Sequence, residues 1–115
     1  MLKISGYKIS LTRGDSAYIT LTINDANGIY ELNEGDKVRV QVRDAPNTGE
    51  LLFEGHIDIM DNGEIVWHIF PDQTSDLDVK SYYWDAQLET ANGDIFTFIT
   101  SNPFKLTDEV TMPNE

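Results

Sequence analysis

The sequence has no cysteine, few basic residues and no long apolar run, and each shortage excludes a class of protein. Without cysteine it cannot have a disulfide framework, a thiolate metal site or a thiol nucleophile. Eight basic residues against 20 acidic ones give a net charge of -12, so we expect neither a nucleic-acid partner nor an anionic membrane. No segment approaches the roughly 18 apolar residues of a transmembrane helix, and we expect no signal peptide at residues 1–5.

Turn signals are the clearest feature that the sequence does contain. Asn-Gly favours the tight turn of a β-hairpin, because both residues accept the positive φ that such turns need. Three of these pairs separate runs of alternating apolar and polar residues: Asn27-Gly28, Asn62-Gly63 and Asn92-Gly93. The three turns predict an all-β domain of antiparallel hairpins.

Two segments show the period-2 alternation of strands that bury one face. Residues 16–23 would place four apolar side chains inward: Ala17, Ile19, Leu21 and Ile23. Residues 37–43 would place three valines inward: Val38, Val40 and Val42. A helix would distribute these valines around its circumference, so we predict a strand for each segment.

The alternation continues on both sides of Asn62-Gly63. We predict one strand over residues 50–60, in which Gly55 marks a bulge or a close contact. Residues 64–70 form the predicted return strand, with Trp67 facing inward.

Residues 71–77 are polar and begin with proline, so we predict a crossover that carries one helical turn. The next predicted strand covers residues 80–90, with Tyr82 and Trp84 facing inward. Tyr82 then stands where a tyrosine corner would lie, directly after a crossover.

The last strand is predicted over residues 94–100, with Phe96 and Phe98 facing the core. Asn102-Pro103 interrupts it, and the ladder resumes at Phe104. The whole pattern predicts an all-β fold, namely an immunoglobulin-like antiparallel β-sandwich of about 7–8 strands. The sandwich is predicted to span residues 1–107, with a flexible C-terminal tail over residues 108–115.

Candidate metal ligands are few. His56 and His68 lie six residues either side of Asn62, so a hairpin turning there could pair them, with Asp58 nearby. Two acidic groups could contribute calcium ligands, although neither has EF-hand spacing: Asp72, Asp76 and Asp78, and Asp58, Asp61 and Glu64. We interpret both patterns as solvated side chains in preference to ligand sets, and we predict no metal and no other cofactor.

Catalytic patterns are also missing from the sequence. There is no Gly-x-Ser-x-Gly elbow, and neither histidine lies in a pattern that indicates a triad. Arg13-Gly14-Asp15 matches a tripeptide that integrins recognise, but Gly-Asp is ordinary turn chemistry. We therefore predict that the protein is not an enzyme.

Two surfaces are candidates for contact with a neighbouring subunit. Residues 95–99 are apolar, and a proline further along favours an edge position, so three residues of this strand are predicted to face a partner: Ile95, Thr97 and Ile99. The outward row of the strand over 37–43 is basic on an acidic molecule, and its candidate contact residues are Lys37, Arg39 and Arg43.

Several segments, taken in order, resemble one known family. They include Leu11-Thr12-Arg13-Gly14-Asp15-Ser16 before a strand, Pro71-Asp72-Gln73-Thr74, Tyr83-Trp84-Asp85-Ala86-Gln87-Leu88, Asn92-Gly93-Asp94, and a close of Phe104-Lys105-Leu106-Thr107. This order, which covers nearly the whole chain, resembles the immunoglobulin-like N-terminal domain of phage baseplate upper proteins. It is also similar to small tail- and fibre-associated proteins of tailed phages and prophages.

The resemblance implies a non-enzymatic structural protein of a virion, in the tail, baseplate or fibre region, made in the bacterial host cytoplasm. Its implied partners are other phage structural proteins, and a homo-oligomer is possible. The alternative is a carbohydrate- or receptor-binding module, because three tyrosines predicted to be exposed could stack on sugar rings: Tyr18, Tyr30 and Tyr83.

Overall fold

A computed structural model of the protein describes residues 3–5, 7–46 and 49–108. Within them the chain forms eleven strands and one short helix, α1, over Pro71–Thr74. The strands are β1 Lys3–Ser5, β2 Lys8–Thr12, β3 Ala17–Leu21, β4 Asn24–Asp25, β5 Gly28–Ile29, β6 Lys37–Arg43, β7 Leu51–Glu54, β8 His56–Ile59, β9 Ile65–Ile69, β10 Ser81–Glu89 and β11 Ile95–Thr107. The predicted all-β class is confirmed. Residues 109–115 of the predicted tail lie outside the described residues.

The strands form a six-stranded sheet, a three-stranded sheet and a two-stranded ribbon. The six-stranded sheet has the order β1-β2-β11-β10-β6-β7, and the three-stranded sheet has the order β3-β9-β8. All pairings are antiparallel except that of β2 with β11, which run parallel. The ribbon consists of β4 and β5.

The core lies between the two larger sheets. Trp67 of β9 packs against Trp84 of β10 and Phe104 of β11, with ring centroids 5.2 and 6.0 Å apart. The predicted inward rows of β3 and β6 are confirmed, since their apolar side chains are buried or half-buried in this core. Burial of such side chains is the main favourable contribution to folding.

All three Asn-Gly pairs lie at hairpin turns, as predicted. The turns join β4 to β5, β8 to β9 and β10 to β11. The glycines at these turns have positive φ: 114° at Gly28, 87° at Gly63 and 90° at Gly93. This backbone conformation is costly for residues with a Cβ, which explains the choice of glycine.

The predicted strand over residues 50–60 is divided at Gly55. β7 belongs to the six-stranded sheet, whereas β8 belongs to the three-stranded sheet, so the chain passes from one sheet to the other at this residue. A Cβ at Gly55 would lie 2.7 Å from Trp67 Nε1 and 2.9 Å from Val40 Cβ. The predicted close contact is therefore confirmed, and glycine lets the indole reach the backbone where the chain changes sheet.

The segment after β9 contains the predicted single turn of helix, α1. It leads to β10, where Tyr82 is buried and its hydroxyl donates a 2.7 Å hydrogen bond to the carbonyl oxygen of Asp78, four residues upstream. This bond ties the start of β10 to the crossover, as a tyrosine corner does.

β11 differs from the prediction, because it is one strand that continues through Asn102-Pro103. Two irregularities in its pairing with β10 leave Phe98 opposite no residue, and Thr100 and Ser101 together opposite Asp85. Each bulge shifts the alternation of the strand. Phe98 is half-buried against the core as predicted. Phe96 lies opposite the buried Leu88 and so on the predicted core-facing side, but it is 56% exposed and does not belong to the core.

Candidate functional site

One edge of β11 is open over residues 95–102, which we call the open edge. β10 pairs with β11 from Ile95 to Lys105, but β2 pairs only with Phe104–Thr107. No other described strand pairs with this part of β11. An unpaired strand edge presents backbone N–H and C=O groups that can bond another chain.

Apolar side chains accompany the open edge. Ile95 is 57% exposed and Phe96 is 56% exposed, at the point where β11 leaves the hairpin turn. Thr97 is exposed as well, as predicted. The edge therefore combines a stretch of backbone that pairs with no second described strand with two largely exposed apolar side chains; within it, the Thr100 carbonyl accepts a 2.7 Å hydrogen bond from the Asn102 side chain.

Ile99 does not belong to this surface. It lies opposite Ala86 and is only 4% exposed, so the predicted outward orientation of Ile99 is wrong. The bulge at Phe98 is the reason, because it turns the following residue to the core face. Pro103, which suggested an edge position, instead lies inside the ladder opposite Tyr83.

The basic row of β6 lies on the outer face of the six-stranded sheet. Lys37 and Arg39 are exposed, whereas Arg43 is half-buried and bonded within the chain. Its guanidinium donates hydrogen bonds to the carbonyl oxygen of Gly49 at 3.0 Å and to Oε1 of Gln41 at 2.9 Å. A partner contact by these three residues stays a prediction, with Lys37 and Arg39 the accessible members.

A polar hollow of about 480 Å³ occupies the same outer face, where β6, β10 and β11 lie side by side. The side chains that matter for its chemistry are Gln41, Arg43, Tyr83, Asp85, Gln87 and Thr97. They converge because each alternates with a core residue on its own strand, and the pairing register places Asp85 opposite Gln41 and Tyr83 opposite Arg43.

Asp85 is the unusual residue of this polar hollow. Partial burial raises the pKa of its carboxyl group, and the nearby Arg43 guanidinium opposes that rise. No described side chain donates a hydrogen bond to the carboxylate, although each oxygen can accept two. Asp85 alternates with the inward Trp84, so the strand pattern alone indicates an outward side chain, but no local signal indicates that it shares a hollow with Arg43.

A row of rings crosses the outer face of the three-stranded sheet. The predicted pairing of His56 with His68 is confirmed, with ring centroids 6.3 Å apart. Tyr18 stacks on His68 at 4.2 Å, Phe70 covers it at 3.9 Å, and Nε2 of His56 lies 3.2 Å from Oδ1 of Asp58. The rings thus contact one another.

Metal binding finds little support in this geometry. Among residues 3–5, 7–46 and 49–108, no group of three or more histidine, aspartate or glutamate side chains is placed to hold an ion. As for membranes, no helix in the described part of the chain has the length and apolar character needed to span one.

The three candidate sugar-stacking tyrosines do not share a surface. Tyr18 lies on the outer face of the three-stranded sheet, and Tyr83 lies on the outer face of the six-stranded sheet, with the core between them. Tyr30 is half-buried, and its hydroxyl donates a 2.7 Å hydrogen bond to Oδ2 of Asp36. A platform of two tyrosines is therefore not formed.

The Arg13-Gly14-Asp15 turn is bound into the fold. Arg13 donates a 3.2 Å hydrogen bond to the carbonyl oxygen of Leu77, and the backbone N–H of Gly14 donates to the hydroxyl of the buried Thr74 at 2.9 Å. These bonds hold the tripeptide against the crossover segment, which gives it a structural explanation.

Comparison with known proteins does not assign the chain to a group. No protein-family model matches the sequence, and no curated protein is similar to it at a significant level.

Proposed function

We propose that this protein is an immunoglobulin-like β-sandwich that acts as a non-enzymatic docking module of a tailed-phage or prophage virion, in the tail, baseplate or fibre region. Two features of the fold support the immunoglobulin-like assignment. The hydroxyl of Tyr82 bonds back to Asp78, and Trp84, two residues later, is buried between two packed sheets. The resemblance of the ordered sequence segments supports the virion assignment.

The open edge is the observation that carries the docking role. A free strand edge with two exposed apolar side chains, Ile95 and Phe96, is an aggregation risk for a protein that functions alone. In a particle the same edge has a use, because a neighbouring subunit can add a strand to the sheet or cover it.

Incorporation into particles tests this proposal. The tagged protein would be produced in the host strain that carries the gene, and particles released after prophage induction would be purified and examined by immunogold electron microscopy. We expect label at one position of the tail, baseplate or fibre region. Absence of the protein from purified particles would contradict the virion assignment.

A variant distinguishes the open edge from other surfaces. Ile95→Lys combined with Phe96→Lys adds two charges to the edge and should reduce incorporation at least tenfold without lowering the melting temperature, since both side chains are largely exposed. Ile29→Lys is the matched control, because Ile29 is 72% exposed on β5, outside both large sheets. Normal incorporation of the double variant would show that docking uses another surface.

A further inference from the structure

We propose that the polar hollow over β6, β10 and β11 binds one ring of a neutral saccharide, with Asp85 and Arg43 as the main hydrogen-bonding groups. Thr97 belongs to both this hollow and the open edge. The inference does not depend on the docking role, however, because the two groups that carry it, Asp85 and Arg43, lie on β10 and β6. A virion protein or a free module could carry such a site equally well.

Charge balance inside the polar hollow favours a neutral ligand. Arg43 supplies one positive charge and Asp85 one negative charge, and the other polar groups of the lining are amides and hydroxyls. An anion would meet the Asp85 carboxylate and a molecule with net charge -12, while a cation would meet the Arg43 guanidinium. Hydroxyl groups both donate and accept, so a polyol satisfies both residues.

The donors of the polar hollow are fixed before any ligand arrives. Gln41 accepts from Arg43 at 2.9 Å, and its amide nitrogen donates to Oε1 of Glu54 at 3.3 Å. The second guanidinium nitrogen of Arg43 donates to the carbonyl oxygen of Gly49. Such a chain holds the guanidinium in one orientation, which reduces the entropy lost on binding.

Asp85 supplies the acceptors that the fold leaves unused. Its carboxylate is partly desolvated, and no described side chain donates a hydrogen bond to it. Two carboxylate oxygens suit two neighbouring hydroxyls of a sugar ring, and such charged acceptors form the stronger class of hydrogen bond. A ligand that donates to Asp85 therefore provides partners that the free protein lacks.

Size and apolar surface complete the fit. A hollow of about 480 Å³ lies within the usual range of ligand sites, and it accommodates a single ring more readily than a long chain. The half-buried Tyr83 ring lines it and offers an apolar surface for the C–H groups of a sugar. Gln87 and Thr97, joined at 3.4 Å, place further polar groups beside it.

Titration by two-dimensional amide NMR tests the inference with defined probes. D-glucose, D-galactose and N-acetyl-D-glucosamine would each be added to about 20 mM, twentyfold above the roughly 1 mM Kd expected of a shallow site. We expect at least one sugar to shift the backbone amides of Gln41, Asp85 and Gln87. Inorganic phosphate at the same concentration should leave them unchanged.

Variants give the test its specificity. Asp85→Ala should weaken binding at least tenfold, and Asp85→Asn should weaken it less because one acceptor oxygen remains. Asp58→Ala is the matched control, since Asp58 is half-exposed on the outer face of the other sheet. Absence of shifts with all three sugars, equal affinity in Asp85→Ala, shifts confined to another surface, or tighter binding of phosphate would each overturn the proposal.

Discussion

The two tryptophans of the core, Trp67 and Trp84, differ in whether their indole nitrogen forms a hydrogen bond. Nε1 of Trp84 donates a 2.8 Å hydrogen bond to the carbonyl oxygen of Tyr7, whereas Nε1 of Trp67 is buried without a partner among the described residues. Trp84→Phe removes a satisfied hydrogen bond and leaves the Tyr7 carbonyl without its indole donor, while Trp67→Phe removes an unsatisfied donor. We expect Trp84→Phe to lower the free energy of unfolding by about 1–2 kcal/mol more than Trp67→Phe does. Urea denaturation measures the difference, and equal losses would contradict this account.

Asp36 makes stability depend on pH. Its carboxylate accepts from the backbone N–H of Asn33, the hydroxyl of Tyr30 and the backbone N–H of Ala91, and the first two of these bonds are the main reasons that its pKa is lowered. A lowered pKa in the folded state stabilises the fold above the unfolded value of about 3.9 and loses that effect as pH falls through the folded value.

The Asp36→Asn variant checks this pH dependence. Its melting temperature should be lower than that of the natural protein at pH 7, and the difference should shrink below about pH 3.9. Asp76→Asn, at an exposed position of the crossover, is the control and should leave the pH profile unchanged. A difference for Asp36→Asn that stays constant down to pH 2 would show that the carboxylate is not responsible.

At the scale of elements, the connection from β7 to β8 requires glycine at position 55, which has no side chain. Gly55→Ala would place a Cβ against Trp67 and Val40, and such overpacking usually costs about 1–3 kcal/mol. Combining it with Trp67→Phe removes the indole nitrogen that is nearest. The double variant should therefore lose less stability than the sum of the single ones, as a double-mutant cycle by urea denaturation would measure. If the losses of stability in the two single variants simply add, the contact between the new Cβ and the Trp67 indole is not the source of the strain.

Strands with strict alternation could be predicted from the sequence, and bulged strands could not. In β3 and β6 every second residue is apolar, so the period alone identifies the buried face. In β11 the bulge at Phe98 reverses the alternation and the one at Thr100 and Ser101 restores it, and the apolar run around Phe98 is compatible with either orientation. Which residue of β11 forms the bulge depends on its pairing with β10, and the local sequence does not encode that pairing.

The polar hollow was not predictable for a related reason. Its polar residues come from three strands, and single-strand patterns identify only that Asp85 and Gln41 face outward. Their proximity follows from the register of β10 against β6, which tertiary packing sets. The pairing of His56 with His68, in contrast, could be predicted because one short turn fixes the register of its own hairpin.

At the scale of the whole molecule, acidity should control stability more than any bound ion. With a net charge of -12, the folded chain repels itself, and salt screens that repulsion. We expect the melting temperature to rise by a few degrees between about 0.01 and 0.5 M sodium chloride, where the screening length falls several-fold. Choline chloride should act like sodium chloride, because screening depends on ionic strength and not on a specific cation.

The effect of calcium on the melting temperature distinguishes general charge screening from binding of an ion at a specific site. The two acidic groups, around Asp76 and around Asp61, form no set of ligands among the described residues, so a chelator should leave the melting temperature unchanged. Millimolar calcium at constant ionic strength should add nothing to the effect of sodium chloride. A specific site would stabilise the native state by mass action, so a rise of several degrees with calcium alone would overturn this prediction. Calorimetric scans with matched ionic strength distinguish the two cases.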